Sequence, residues 1–310
     1  MGKTTVSAAL ALAAARQGLT SLVIDVEGKS GLAAMFGKPV FSYDEVDLVE
    51  PDPGAGLGSV RARTLTPDEA LLEYLQQSGM KRISKRLATS GALDMVSTAI
   101  PGIRDILVLG KVKQLEQASA ADLIVLDAPA AGHAITFLQS ASGLSDAVRL
   151  GPINSQANAV LELLGDASRC QVVLVTLPEE TPVNELVDTA YALEDRVGVS
   201  LGPVVVNSFY PDLPGLDTDP EEAAEAAGGS LRHGEAEALS EAASFRRERM
   251  ALQREQVARL DEALPLPQLH LPFLFDSELG PDQLVQLADA LVAELSGLDP
   301  TAVGADEDGT

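Results

Sequence analysis

Five apolar runs rich in β-branched residues punctuate the chain: Ser21–Val26, Leu123–Leu126, Gln171–Leu177, Pro203–Val206 and Gln268–Phe275. They are continuous rather than alternating, as strands buried on both faces are. Helical patterns lie between them, beginning with Val6–Gln17. Strands alternating with helices predict an α/β fold, a doubly wound and mostly parallel sheet covered on both sides. Several runs close on polar residues: Asp25 and Glu27, Asp127, Glu179 and Glu180, and Asn207. Ligands of such sheets sit at the carboxyl ends of the strands, so these endings point to one shared site.

Between the first two runs the pattern turns helical from about residue 66 to 117. Thr66-Pro67-Asp68-Glu69 reads as a helix start, with proline and acids in the first turn. Pro101-Gly102 divides the stretch. Its length exceeds a simple crossover and predicts a helical insertion subdomain. Residues 211–234 are acidic, with proline and a Gly-Gly pair, and read as a mobile loop. Glu235 to Leu264 reads as a charged helix. The expected organisation is one domain over residues 1–300, followed by a disordered tail at 301–310.

Composition narrows the function classes. The formal net charge is −24, which repels nucleic acid phosphates and anionic lipid surfaces. No run of eighteen apolar residues occurs, and the first residues show no charged-then-apolar signal pattern. Cys170 is the sole cysteine, so no intrachain disulfide can form and a cytoplasmic protein is expected. Cys170 lies in an apolar run and reads as a core residue. The three histidines, His133, His233 and His270, show no metal-ligand spacing.

The chemistry begins at the first residues. Met1-Gly2-Lys3-Thr4-Thr5 runs straight into a helical pattern. A Walker A loop reads G-x-x-x-x-G-K-[ST], with a strand before and a helix after it. Gly2 would admit a phosphate to the backbone, Lys3 would reach the β- and γ-phosphates, and Thr4 would place a hydroxyl on Mg²⁺. The helix amides and dipole would hold the rest of the anion. Asp127 closes Asp122-Leu-Ile-Val-Leu-Asp127 ahead of a glycine-containing turn. That is the place of a Walker B acid holding Mg²⁺ through water, or of a helix N-cap. Asp25 and Glu27 either orient an attacking water or form a polar turn. His133 is either a moving switch residue or a turn histidine. Asn207 suits a base edge or a strand-end turn, and Leu271-Pro272-Phe273 an apolar wall for the base or a core strand.

Together these segments resemble the ArsA-type ATPases, the family of arsenite-efflux ATPases and of the targeting ATPase for tail-anchored membrane proteins. The resemblance runs from Gly2 to about Gly280 and is nearest to an actinobacterial subgroup described as anion-transporting ATPases. Family members carry the deviant Walker loop G-K-G-G-V-G-K-T-T. Gly2, Lys3, Thr4 and Thr5 match its second half, and Met1 stands at its valine, as a GTG codon taken for a start would give. Asp127 to His133 resembles the switch II pattern D-T-A-P-T-G-H. Glu27 falls at the water-positioning acid of switch I, where the usual D-P-A-H reads Glu27-Gly28-Lys29-Ser30; Asp25 is the fallback. Pro101-Gly102-Ile103 resembles a P-G-I element of the helical subdomain, and Pro178-Glu179 a pair near the dimer interface. Asn207 matches the adenine-contacting asparagine, and Pro272 and Phe273 the base-contacting loop.

The resemblance implies a P-loop ATPase that takes ATP and Mg²⁺ and works as a homodimer, or as a heterodimer with a paralogue, on an unidentified client. No nucleic acid partner and no direct membrane insertion are expected. A non-hydrolysing partner of a complete paralogue is one alternative, and a ParA/MinD-like positioning ATPase another, opposed by the −24 charge. The signature lysine of the deviant loop is absent from these residues. The C-x-x-C pair is missing too, so no zinc-clamped dimer is expected. A single cysteine cannot supply the thiolate cluster that arsenite prefers, and five methionines give little support to a methionine-lined groove. A strand preceding the loop would lie inside the sheet. Without it two strand edges should stand open, and the 310-residue form should fold poorly or aggregate.

Overall fold

The structure, a computed structural model, describes residues 1–26, 28, 31–77, 79, 82, 102–147 and 152–298. Glu27, Pro101 and the tail 301–310 lie outside the described residues.

Among the described residues seven strands form two sheets. The first has the order β2-β3-β1-β4, with β1 at Ser21–Asp25, β2 at Val46–Val49, β3 at Val60–Thr64 and β4 at Leu123–Asp127. Only β2 runs antiparallel, against β3. The second has the order β5-β6-β7, all parallel, with β5 at Val172–Thr176, β6 at Leu201–Phe209 and β7 at Gln268–Pro272. Each expected apolar run contains a strand, though the last stops at Pro272, short of Phe275.

Among the described residues the helices are α1 (Lys3–Arg16), α2 (Gly31–Met35), α3 (Pro67–Gln77), α4 (Ile103–Gln117), α5 (Ala131–Ala147), α6 (Pro152–Leu164), α7 (Glu180–Val197), α8 (Pro220–Ala226), α9 (Glu235–Ala263) and α10 (Pro281–Ser296). They cover two faces. On one, α1 and α10 pack over Val23, Val125, Val205, Leu269 and Leu271. Alanine makes this approach close: Ala8, Ala9, Ala11 and Ala15 of α1 are fully buried. On the other face, side chains of α4 to α7 cover Leu22, Ile24, Leu174, Val204 and Val206. Neighbouring strand residues thus feed opposite cores, as the two-residue period of a strand requires. Both cores draw on both sheets.

Three differences from the sequence expectation have physical causes. Strands β2 and β3 interrupt the stretch ahead of α3, where no strand was expected. Their apolar content is low, and β3 carries Arg61 and Arg63. Arg61 donates to Glu45 and to the Ala120 carbonyl, and Arg63 stacks 4.4 Å from the Tyr43 ring, so both charges are accommodated beside the core. Second, the acidic segment 211–234 contains α8. The Asp219 carboxylate caps it, accepting from the amides of Glu221 and Glu222, with Pro220 at the first helical position. Third, α1 starts at Lys3 rather than Val6, because the Val6 amide donates to the Gly2 carbonyl at 2.9 Å and so draws residues 3–5 into the first turn.

Strand β1 is paired on both sides, and all five of its residues are buried. Among the described residues β4 pairs with β1 only and β5 with β6 only, so each leaves one edge without a strand. The outer edge of β7 is treated differently: the His270 amide donates to Glu294 Oε2 of α10 at 2.9 Å. Among the described residues no helix is long and apolar enough to cross a membrane.

Candidate functional site

The carboxyl ends of β1, β4, β6 and β7 and the start of α1 carry the residues singled out in the sequence. Gly2 precedes α1 in the left-handed region at φ 85°, and no side chain caps the helix. Its first amides are therefore without a capping side chain, beside Lys3, Thr4 and Thr5. Gly2 is also fixed by space. A Cβ there would lie 2.3 Å from Asn207 Nδ2, closer than two such atoms can stand.

Thr4 and Ser7, three residues apart on one face of α1, reach the same acid. The Thr4 hydroxyl donates to Asp127 Oδ2 at 2.7 Å, and the Ser7 hydroxyl donates to Asp127 Oδ1 at 3.2 Å. The Asp127 carboxylate thus faces α1 rather than capping α5, which starts four residues later. Burial pushes its pKa up, and Asp25 adds to the rise; the Thr4 and Ser7 hydrogen bonds and the Lys3 charge pull against it without cancelling it. Asp25 sits opposite Asp127 in the β1–β4 register and is buried. Its Oδ1 accepts from the Gly28 amide at 2.9 Å, closing the turn after β1.

This donor set suits Mg²⁺. Thr4 and Asp127 offer it hard oxygens, which suits an ion that keeps waters and takes its remaining ligands from a nucleotide. Among the described residues no group of three or more His, Cys, Asp or Glu could hold a metal unaided.

The residues expected at a base lie on the other sheet. Asn207 is buried near the end of β6, and its Nδ2 donates to the Met1 carbonyl at 3.2 Å. The asparagine proposed for the base thus also holds the segment entering α1. Pro272 ends β7, and the Phe273 amide donates to the Phe209 carbonyl. Phe273 is part of an aromatic group, 5.1 Å from Tyr210 and 4.7 Å from Phe275. Arg246 of α9 stacks over Tyr210 at 4.4 Å and Phe275 at 4.8 Å.

Residues 1–154 match the Anion-transporting ATPase family. ATPase BagA of Mycobacterium tuberculosis is 31% identical over 94% of this chain and 90% of its own length. The chain belongs to the ArsA-type ATPase family. A Putative arsenical pump-driving ATPase of Halobacterium salinarum is 23% identical over 99% of this chain and 44% of its own length. ATPase get3 of Schizosaccharomyces pombe is 24% identical over 53% of this chain and 48% of its own length.

The remaining residues singled out in the sequence lie as follows. His133 is exposed in the first turn of α5. Gly102, at φ 78°, precedes α4. Glu179 is ion-paired with Arg249 of α9. Cys170 is half-buried against the core, and burial pushes its thiol pKa up. Sequence reasoning missed Ser7, Tyr210, Arg246 and Phe275. Only the alternation of Phe273 and Phe275 gave a signal, because rings two apart on an extended segment share a face.

Proposed function

We propose that this ArsA-type chain binds ATP with Mg²⁺ and hydrolyses it in the cytoplasm, as one half of a homodimer or of a heterodimer with a paralogue. Turnover would be coupled to the grip on a client. The observation that carries the reading is the convergence of the Thr4 hydroxyl on Asp127 at the uncapped start of α1.

In this reading Gly2, Lys3, Thr4 and Thr5 bind the phosphates through the Lys3 ammonium and the first amides of α1. Thr4 and Asp127 hold Mg²⁺, which when bound offsets phosphate negative charge. Glu27 orients the attacking water by its match to switch I, with Asp25 as the fallback. Asn207 meets the base edge, and Pro272 and Phe273 wall the base. Phosphoryl transfer relies on positioning and electrostatics, and this cradle supplies both.

One observation favours a second reading, a non-hydrolysing partner of a complete paralogue. The Asp25 carboxylate is engaged by the Gly28 amide, which competes with a role on water. Phosphate release by the purified chain separates the two. Turnover is expected, and Lys3→Ala and Asp127→Asn should each lower it about 100-fold or more, the usual effect of removing one preorganised charged contact. ATP binding without turnover would favour the regulatory partner. Absence of nucleotide binding would overturn the ATPase reading and leave the regulatory partner, which needs little or no nucleotide.

A further inference from the structure

Helix α1 contains one buried polar residue among its apolar ones. Val6, Ala8, Ala9, Ala11, Leu12, Ala13 and Ala15 are buried, and Ser7 is buried among them. Serine forms helix less readily than alanine, and a buried hydroxyl needs a partner. Several helical hydroxyls of this chain find that partner on their own helix, while Ser145 of α5 donates across to Asn158 of α6. Ser140 donates to the Phe137 carbonyl, Thr189 to that of Glu185 and Ser296 to that of Val292. Ser7 instead donates across to another element, to Asp127 Oδ1 on β4.

We propose that Ser7 is a positioning residue for the Asp127 carboxylate, an inference that rests on the nucleotide reading above. Thr4 and Ser7 hold the two oxygens of one carboxylate from one helix face. A carboxylate held at one oxygen can still turn about its terminal torsion, which is broad in aspartate. Held at both, it keeps Oδ2 on the Thr4 side, where the metal and its water would be received. Ser7 touches neither phosphate nor metal in this arrangement and acts only through Asp127. The same bond would also tie β4 to α1, so a purely structural role has to be separated from a positioning one.

Ser7→Ala makes that separation, because alanine suits both the helix and its buried surroundings. The measurement is binding of a fluorescent N-methylanthraniloyl ATP, titrated with Mg²⁺ and repeated in EDTA, beside a thermal melt. Positioning predicts a melting temperature within about 2 °C of the parent. Metal-free nucleotide affinity should be unchanged, and the Mg²⁺ concentration for half-maximal binding should rise about fivefold to tenfold, as loss of a ligand's supporting contact typically gives at least tenfold in tighter metal sites. Ser7→Thr, which keeps the hydroxyl, should restore the parent value. An unchanged Mg²⁺ midpoint in Ser7→Ala overturns the inference while leaving the nucleotide reading intact. So does an equal loss of affinity with and without the metal. A parent chain whose nucleotide binding ignores Mg²⁺ overturns the nucleotide reading, and this inference with it.

Discussion

The two sheets bring opposite chemistry to the candidate site. The four-stranded sheet brings acids: Asp25 and Asp127 are buried at neighbouring strand ends and hydrogen-bonded by Gly28, Thr4 and Ser7. The three-stranded sheet brings an amide and rings. Asn207 is buried, but Phe273 is only half-buried, and Phe275 stands exposed beside Arg246. Buried charge demands fixed partners, so the acidic half is rigid and intolerant of change. Stacking surfaces carry no such demand, so the ring-bearing half can vary with graded cost. Joining them at the site is the Asn207 bond to Met1, against which Gly2 fits.

The largest test concerns the strands that carry the acids. Ile24 in β1 is fully buried and paired on both sides, while Ile124 in β4 packs against the same core from a strand with an open edge. Ile24→Ala should cost about 2–5 kcal/mol in urea unfolding, the usual range for a closed core site. Ile124→Ala should cost about 1–2 kcal/mol, because a partly exposed side chain loses less on truncation. Equal losses would mean that the open edge of β4 is no less closed than β1.

Next comes the contact between the halves. Gly2→Ala places a methyl against Asn207 at a left-handed backbone angle, so about 1–3 kcal/mol of stability should be lost. Nucleotide affinity should fall with it. Adding Asn207→Ala should recover the steric part and leave the backbone part. If Gly2→Ala melts like the parent, the two halves are not in contact there.

The smallest effect is expected on the rings. Phe273→Ala should raise the KM for ATP about fivefold with kcat little changed, matching the ~0.5–1.5 kcal/mol of a ring contact. A fall in kcat instead would place Phe273 with the acids in function, and the contrast between the sheets would fail.

How far the chain could be read before folding follows the same divide. Strands that fill both cores announce themselves as unbroken apolar runs, so β1 and β4 to β7 were legible. Strand β3 was not, because Val-Arg-Ala-Arg-Thr looks like a surface segment until Glu45, Tyr43 and the Ala120 carbonyl are seen around its arginines. Gly2, Lys3, Thr4 and Asp127 could be singled out because G-K-T has fixed internal spacing and the acid closes an apolar strand, and the structure brings Thr4 and Asp127 together. Ser7 was not, since a hydroxyl in an alanine-rich helix has no motif and its meaning depends on an acid 120 residues away. Arg246 was hidden likewise: in sequence it is one charge on a charged helix, and only the fold sets it over Tyr210 and Phe275.

The bond from the His270 amide to Glu294 has a consequence for assembly. A filament that grows by adding strands needs adhesive rims on opposite ends of each unit, so that every copy recruits the next. Glu294 occupies an amide on the rim that the three-stranded sheet turns outward and sets a carboxylate there, where an incoming strand would meet negative charge. On the far rim β2 is short, irregular in register and carries Asp47. Strand addition is therefore disfavoured at these two rims, which leaves the edges of β4 and β5 as the ones an incoming strand would find.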